Sequence, residues 1–222
     1  MNVFITSQIE SVEKKMAGYH ALLSYRYSNL CVKADPTSLL SVTLVMGSTE
    51  KDIEEVAEVA RPNDDYHLIV IPKVQDFIMD INQAVQAVHP EFKMELKPLG
   101  DGNDQHRFLL YEMPEVDKDR RDFLNQAVDS LYDECKARIE AVTNDQKMTF
   151  AEFLSGKPEE LKEANDQLNK SHDSYLEKIQ SLLNTKHQEI EEGYQRYLTI
   201  HEDDVLQDNG FDVTSSMKLS ED

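Results

Sequence analysis

The chain reads as an α+β protein: a three-helix bundle with an inserted small α/β domain. Two patterns and one interruption predict this. Apolar residues recur at alternating spacings of four and three near both ends of the chain, the signature of packed helices. Between them lies a stretch of short β-branched runs separated by turn residues, the signature of strands. Long amphipathic helices separated in sequence bury their stripes only against each other, so the middle segment is read as an insertion. The expected boundaries are 1–34 with 114–200 for the bundle, 35–113 for the inserted domain, and 201–222 for an acidic tail.

The first helix is carried by Ile5, Ile9, Val12, Met16, Tyr19, Leu23, Tyr27 and Leu30. It is expected to run to Lys33–Ala34–Asp35, because the residue before Pro36 avoids helical dihedrals. Leu39–Met46 suits a strand, and Gly47–Ser48 a turn. Asp52–Ala60 fits a strand by alternation and a helix by composition, and both readings stay open. Arg61–Asp65 is a turn, and Tyr66–Pro72 a buried strand. Gln75–His89 has helical spacing, Phe92–Leu99 alternates like a strand, Leu99–Asn103 is a loop, and His106–Met113 is a further strand. Helical character returns after Pro114 with Leu124, Val128, Leu131, Cys135, Ile139 and Val142 on one stripe. A break is expected between Asn144–Asp145 and Ser155–Gly156–Lys157–Pro158, then a last helix carrying Leu161, Leu168, Tyr175, Ile179, Leu182, Lys186 and Ile190. From about His201 the chain is acidic and aperiodic and is expected to be disordered, with its scattered apolar residues a second reading as a partner-binding peptide.

Charge narrows the function. Among 222 residues, 43 are acidic and 23 are Lys or Arg, a formal net charge of −20. Nucleic-acid backbones and anionic membranes repel such a chain at long range unless its cations cluster. The N-terminus lacks the basic start and apolar run of a signal peptide, and no stretch approaches a bilayer span. Cys31 and Cys135 stand far apart, outside metal or redox spacings, and read as reduced, half-buried thiols of a cytoplasmic protein. The seven histidines are scattered, and no H-E-x-x-H, C-x-x-C, phosphate-binding glycine loop or nucleophile elbow occurs. Asp101–Asp104 lacks the closing glutamate of a calcium loop. The expectation is a non-enzymatic protein with no metal and no cofactor.

The most informative stretch is Met113–Asp145. Pro114, an acidic run, Arg120–Arg121 and an uninterrupted helical pattern follow in order. This resembles the ribosome recycling factor family, where the run is typically P-x-L-T-x-E-R-R-x-x-L. Lys33–Ala34–Asp35–Pro36 followed by Leu39–Leu40 is similar to that family's G-R-A-x-P-x-L-L, and Ile53–Val59 and His67–Ile71 resemble its L-x-x-L-A-x-V and L-x-I. The likeness covers about Ile5 to Tyr197 and aligns without a gap from Pro114 to Asp145.

The resemblance implies a bundle that lies on large-subunit ribosomal RNA, with the ribosome and elongation factor G as partners and the interdomain joints near Lys33, Pro36, Met113 and Pro114 as hinges. It implies RNA contacts at Lys33, Arg120, Arg121, Lys136 and Arg138. It also marks a departure. The family's arginine cluster, V-R-N-x-R-R-D, aligns with Ile139–Asp145, so its three arginines are replaced by Glu140, Thr143 and Asn144. Asp129 stands where the family usually has a basic residue. Guanidinium forks bind phosphate oxygens in pairs, and removing one such pairing costs about 1 kcal/mol or more. The expectation is a divergent relative with weak or no direct nucleic-acid binding that acts through protein partners. A working recycling factor and an interaction module outside translation are the alternatives. Arg120 and Arg121 are equally readable as partners of Asp117, Asp119 or Asp122, worth little on a surface.

Overall fold

The computed structural model describes residues 3–46, 49–62, 64, 66–100 and 106–201. In chain order the elements are α1 (Val3–Ser28), a 3-10 turn (Pro36–Leu39), β1 (Thr43–Met46), β2 (Thr49–Asp52), α2 (Ile53–Val56), β3 (Ala57–Ala60), β4 (His67–Pro72), a second 3-10 turn (Gln75–Phe77), α3 (Ile78–Val88), β5 (Lys93–Pro98), β6 (Arg107–Glu112), α4 (Lys118–Phe153) and α5 (Pro158–Ile200). The chain divides into two compact units, Met1–Ser28 with Phe123–Gln188 and Asn29–Asp122 with Glu189–Asp222.

The first unit is helical. Ile5, Ile9, Val12, Met16, Leu23 and Tyr27 of α1 are buried, as are Leu124, Val128, Cys135, Ile139, Val142 and Phe150 of α4 and Ala164, Leu168 and Ile179 of α5. Polar contacts tie the helices together. Tyr27 Oη donates to the Val128 carbonyl at 3.0 Å, Arg26 bridges to Glu134 at 2.6 Å, and Ser171 Oγ donates to Glu13 at 2.5 Å. The break expected after Asn144–Asp145 does not occur, since α4 runs on to Phe153. Gln146, Phe150 and Leu154 continue its buried face, and that burial outweighs the modest helix penalty of Asn and Asp. The helix ends only near Gly156, whose φ of 86° suits a residue without Cβ.

The second unit holds a four-stranded antiparallel sheet in the order β3-β4-β6-β5 and a separate hairpin of β1 and β2. In β4, Leu68, Val70 and Pro72 are buried while His67, Ile69 and Ile71 are half-buried. Leu68 lies opposite Tyr111 and Val70 opposite Leu109, so both strands turn the same apolar face into the core. Ile81 and Val85 of α3 join that core with Leu39, Val42, Leu44, Ile53, Phe92 and Met113.

The structure corrects two further expectations. The first helix ends at Ser28, not at Ala34. Cys31, Val32 and Ala34 are buried, and an irregular path inserts Cys31 and Ala34 into the core of the second unit. The strand expected over Leu39–Met46 is only Thr43–Met46, because Pro36–Leu39 is a 3-10 turn capped by the Asp35 carboxylate. Asp52–Ala60 resolves into both of its readings, one helical turn followed by a strand. Gly47–Ser48, Asn63 and Asp65 of the expected Arg61–Asp65 turn, the whole Asp101–Asp104 segment and the tail beyond His201 lie outside the described residues.

Candidate functional site

Among the described residues, two sets of side chains stand out: the candidate cations with the α4 positions that the resemblance reads as replaced arginines, and a buried polar cluster beside the start of that helix.

On α4, Arg120 is half-buried and its guanidinium donates to the Cys31 carbonyl at 2.8 Å. Its Nε is buried without a hydrogen-bond partner, and burial lowers its pKa from the ordinary value against the raising influence of Glu91 and Cys31. Arg121 lies over the Tyr194 ring, 4.1 Å from its centroid, and bridges to Asp122 at 3.0 Å. Arg138 is exposed but bridges to Glu134 at 2.5 Å, one turn away. Glu134 also receives Arg26, and the two hydrogen bonds hold its carboxyl below the usual range. Three of the five candidate cations are therefore engaged within the chain. Lys33 is exposed in the segment after α1. Lys136 lines an open groove of about 580 Å³ with Tyr132, Glu177, Gln180 and Asn184.

The three positions that the resemblance reads as replaced arginines separate. Glu140 and Asn144 are exposed. Thr143 is only 2% exposed and its hydroxyl donates to the Ile139 carbonyl at 2.8 Å. That side chain faces the bundle interior. Asp129 is held by His187 Nε2 at 2.8 Å, while His187 Nδ1 meets Asn125 Oδ1 at 2.7 Å. The four residues read as hinges lie inside the second unit. Asp35 caps the turn that Pro36 opens. Met113 is buried and its N–H donates to the Tyr66 carbonyl at 2.7 Å. Lys33 and Pro114 lie outside helix and strand.

The buried cluster escaped the spacing rules. Cys31 Sγ lies 3.8 Å from His89 Nδ1 across 58 residues of sequence. The same nitrogen is 3.4 Å from Glu91 Oε1. His89 Nε2 is 3.0 Å from the Ser38 carbonyl, which only accepts, so Nε2 carries a hydrogen. The ring stacks on Phe92 with centroids 4.6 Å apart. Burial disfavours charge on His89, but hydrogen bonds to Cys31 and Glu91 outweigh it and its pKa is pushed up to about 10. Cys31 and His89 are buried and Glu91 is half-buried. The only sequence signal was His89–Pro90–Glu91, two ligand types at a tight turn; nothing local pointed to Cys31. Among the described residues no helix is long and apolar enough to cross a membrane.

Comparison with known proteins gives a consistent answer. The family model described as Ribosome recycling factor matches residues 27–190. The ribosome-recycling factor of Caldicellulosiruptor bescii is 26% identical over 191 residues, covering 83% of this chain and 97% of its own length. That of Bacillus subtilis (strain 168) is 24% identical, covering 85% and 97%. A solution structure of the ribosome recycling factor superposes with a TM-score of 0.70 at 18% identity, over 86% of this chain and all 100% of that one. A second structure, of the T. thermophilus ribosome recycling factor and the E. coli elongation factor G bound to the E. coli post-termination complex, matches at a TM-score of 0.57 and 21% identity, over 84% and 98%.

Proposed function

This chain belongs to the ribosome recycling factor family, and from that premise we propose that it is a non-enzymatic factor of translation with a weakened grip on ribosomal RNA, acting mainly through protein contacts. Its partners on this reading are the ribosome and elongation factor G, which accompany the family member described above.

One observation carries the weakening. Two exposed α4 positions that the resemblance aligns with the family's arginines hold a carboxylate, Glu140, and an amide, Asn144. The neighbouring Arg138 is already engaged by Glu134. Replacing a phosphate-binding cation takes away about one unit of salt slope and of order 1 kcal/mol of affinity. A chain at −20 has little long-range attraction to offset that.

The test is co-sedimentation with large ribosomal subunits across a salt series, wild type against Glu140→Arg/Asn144→Arg. Thr143 is left alone because it is buried. The double variant should bind about tenfold tighter or more, with a salt slope steeper by about two. Tight, salt-sensitive binding by the wild type, or no gain in the variant, overturns the reading.

A working recycling factor is the second reading, and one fact favours it: nearly the whole length of the Caldicellulosiruptor bescii relative has a counterpart here. Splitting of post-termination ribosomes by the wild-type chain with elongation factor G and GTP would establish it.

A further inference from the structure

We propose that Cys31, His89 and Glu91 form a binding site for a zinc-like divalent cation. Each of the three offers one ligand atom, and these atoms lie within 4.8 Å of one another. The spacing suits a metal more closely than that bound suggests. Tetrahedral zinc with a thiolate at about 2.3 Å and an imidazole at about 2.0–2.1 Å sets sulfur and nitrogen about 3.6 Å apart. An imidazole nitrogen and a carboxylate oxygen on such an ion sit about 3.3 Å apart. The observed separations are 3.8 Å for Cys31–His89 and 3.4 Å for His89–Glu91. Both pairs that include His89 thus lie within a few tenths of an ångström of that geometry, and the Cys31 and Glu91 ligand atoms are within 4.8 Å of each other.

The histidine is also oriented as a ligand. Its Nε2–H is committed to the Ser38 carbonyl at 3.0 Å. That leaves Nδ1 as the ring atom facing both the thiol and the carboxylate. A carbonyl behind a histidine is the usual outer partner that fixes ring and tautomer at metal sites. Ser38 and the ring are buried, so the position is set by packing with Phe92 rather than by solvent. A metal here displaces the proton from Nδ1.

Mixed sulfur, nitrogen and oxygen donors select zinc or cobalt over magnesium and calcium, which prefer oxygen alone. A thiolate and a carboxylate balance the divalent charge. Glu91 is the half-buried member, with 32% of its side chain exposed. It supplies the path by which an ion enters and a water completes four ligands. Arg120 sits against the Cys31 carbonyl, so one cation already faces the acidic pair and an incoming ion must compete with its field.

Cobalt(II) titration of the reduced full chain, followed by absorbance, tests the site. The expected result is a thiolate-to-cobalt charge-transfer band saturating at one ion per chain and erased by stoichiometric zinc. Cys31→Ser should abolish the band, Cys135→Ser should leave it, and Glu91→Gln should weaken cobalt binding at least about tenfold. Circular dichroism of each variant separates lost binding from lost folding, and the half-exposed Glu91 gives a variant that should keep the core. No band in the wild type, a band retained in Cys31→Ser, or unchanged affinity in folded Glu91→Gln each overturns the proposal. Because the readout is metal binding itself, it stands or falls independently of ribosome association.

Discussion

Asp35 accepts the Thr37 N–H at 2.9 Å and so closes the end of the first 3-10 turn. Burial works to raise its pKa, but the Thr37 hydrogen bonds and the nearby Lys33 and Arg61 outweigh it and hold the carboxyl below its ordinary value. A group depressed in the folded state stabilises it above the unfolded pKa, about 4, and that contribution disappears as pH falls through the folded value. Asp35→Ala should therefore cost about 1 kcal/mol at neutral pH, with the gap to wild type shrinking in acid. Urea midpoints at pH 7 and at about pH 3 measure it; a constant gap would mean that the charge plays no part. The same scale separates Thr143 from Glu140. The resemblance aligns both with family arginines, yet one hydroxyl is satisfied by its own helix at Ile139 and the other side chain stands in water. The family pattern weighs the two positions equally, and burial does not.

Gly193 shows how an element is placed by what it lacks. It lies in the last part of α5, where a Cβ would come within 2.9 Å of Val32 Cγ1 and 3.0 Å of Val116 Cγ2. Valine side chains are stiff and yield little. Two effects compete in Gly193→Ala: helix propensity gains about 1 kcal/mol, and overpacking costs about 1–3 kcal/mol. The second should win by about 1 kcal/mol, and Gly193→Leu should lose about 3 kcal/mol or more. Equilibrium urea unfolding checks both, and a stabilised alanine variant would mean that the Val32 and Val116 segments move aside. The continuation of α4 belongs here too. Asn144 and Asp145 look like a stop when read alone, but Val142, Gln146 and Phe150 keep the buried spacing across them. Local propensity is a prior of a few tenths of a kcal/mol, and a buried aromatic outweighs it.

For the whole molecule the governing quantity is a net charge of −20. Like charges at this density repel within the folded state, and salt screens them over about 8–10 Å near physiological ionic strength. The thermal midpoint should accordingly rise by about 2–4 °C between about 10 mM and 150 mM NaCl, as expected for roughly 1 kcal/mol in a chain of this size. Circular dichroism melts at the two salt concentrations provide the check, and a flat or falling midpoint would show that attractive ion pairs such as Arg26–Glu134 dominate instead. The fold class, the bundle stripe from Ile5 to Tyr27, the strands from Tyr66 onward and the family resemblance were legible in the sequence, because periodicities of 3.6 and 2 are local properties of a chain; the β1–β2 hairpin was not. Tertiary structure alone decided which cations are spoken for, that Thr143 faces inward, and that Cys31 meets His89 and Glu91. Those facts depend on residues far apart in the chain being packed together, and contacts made across such separations leave no mark on the spacing of neighbours.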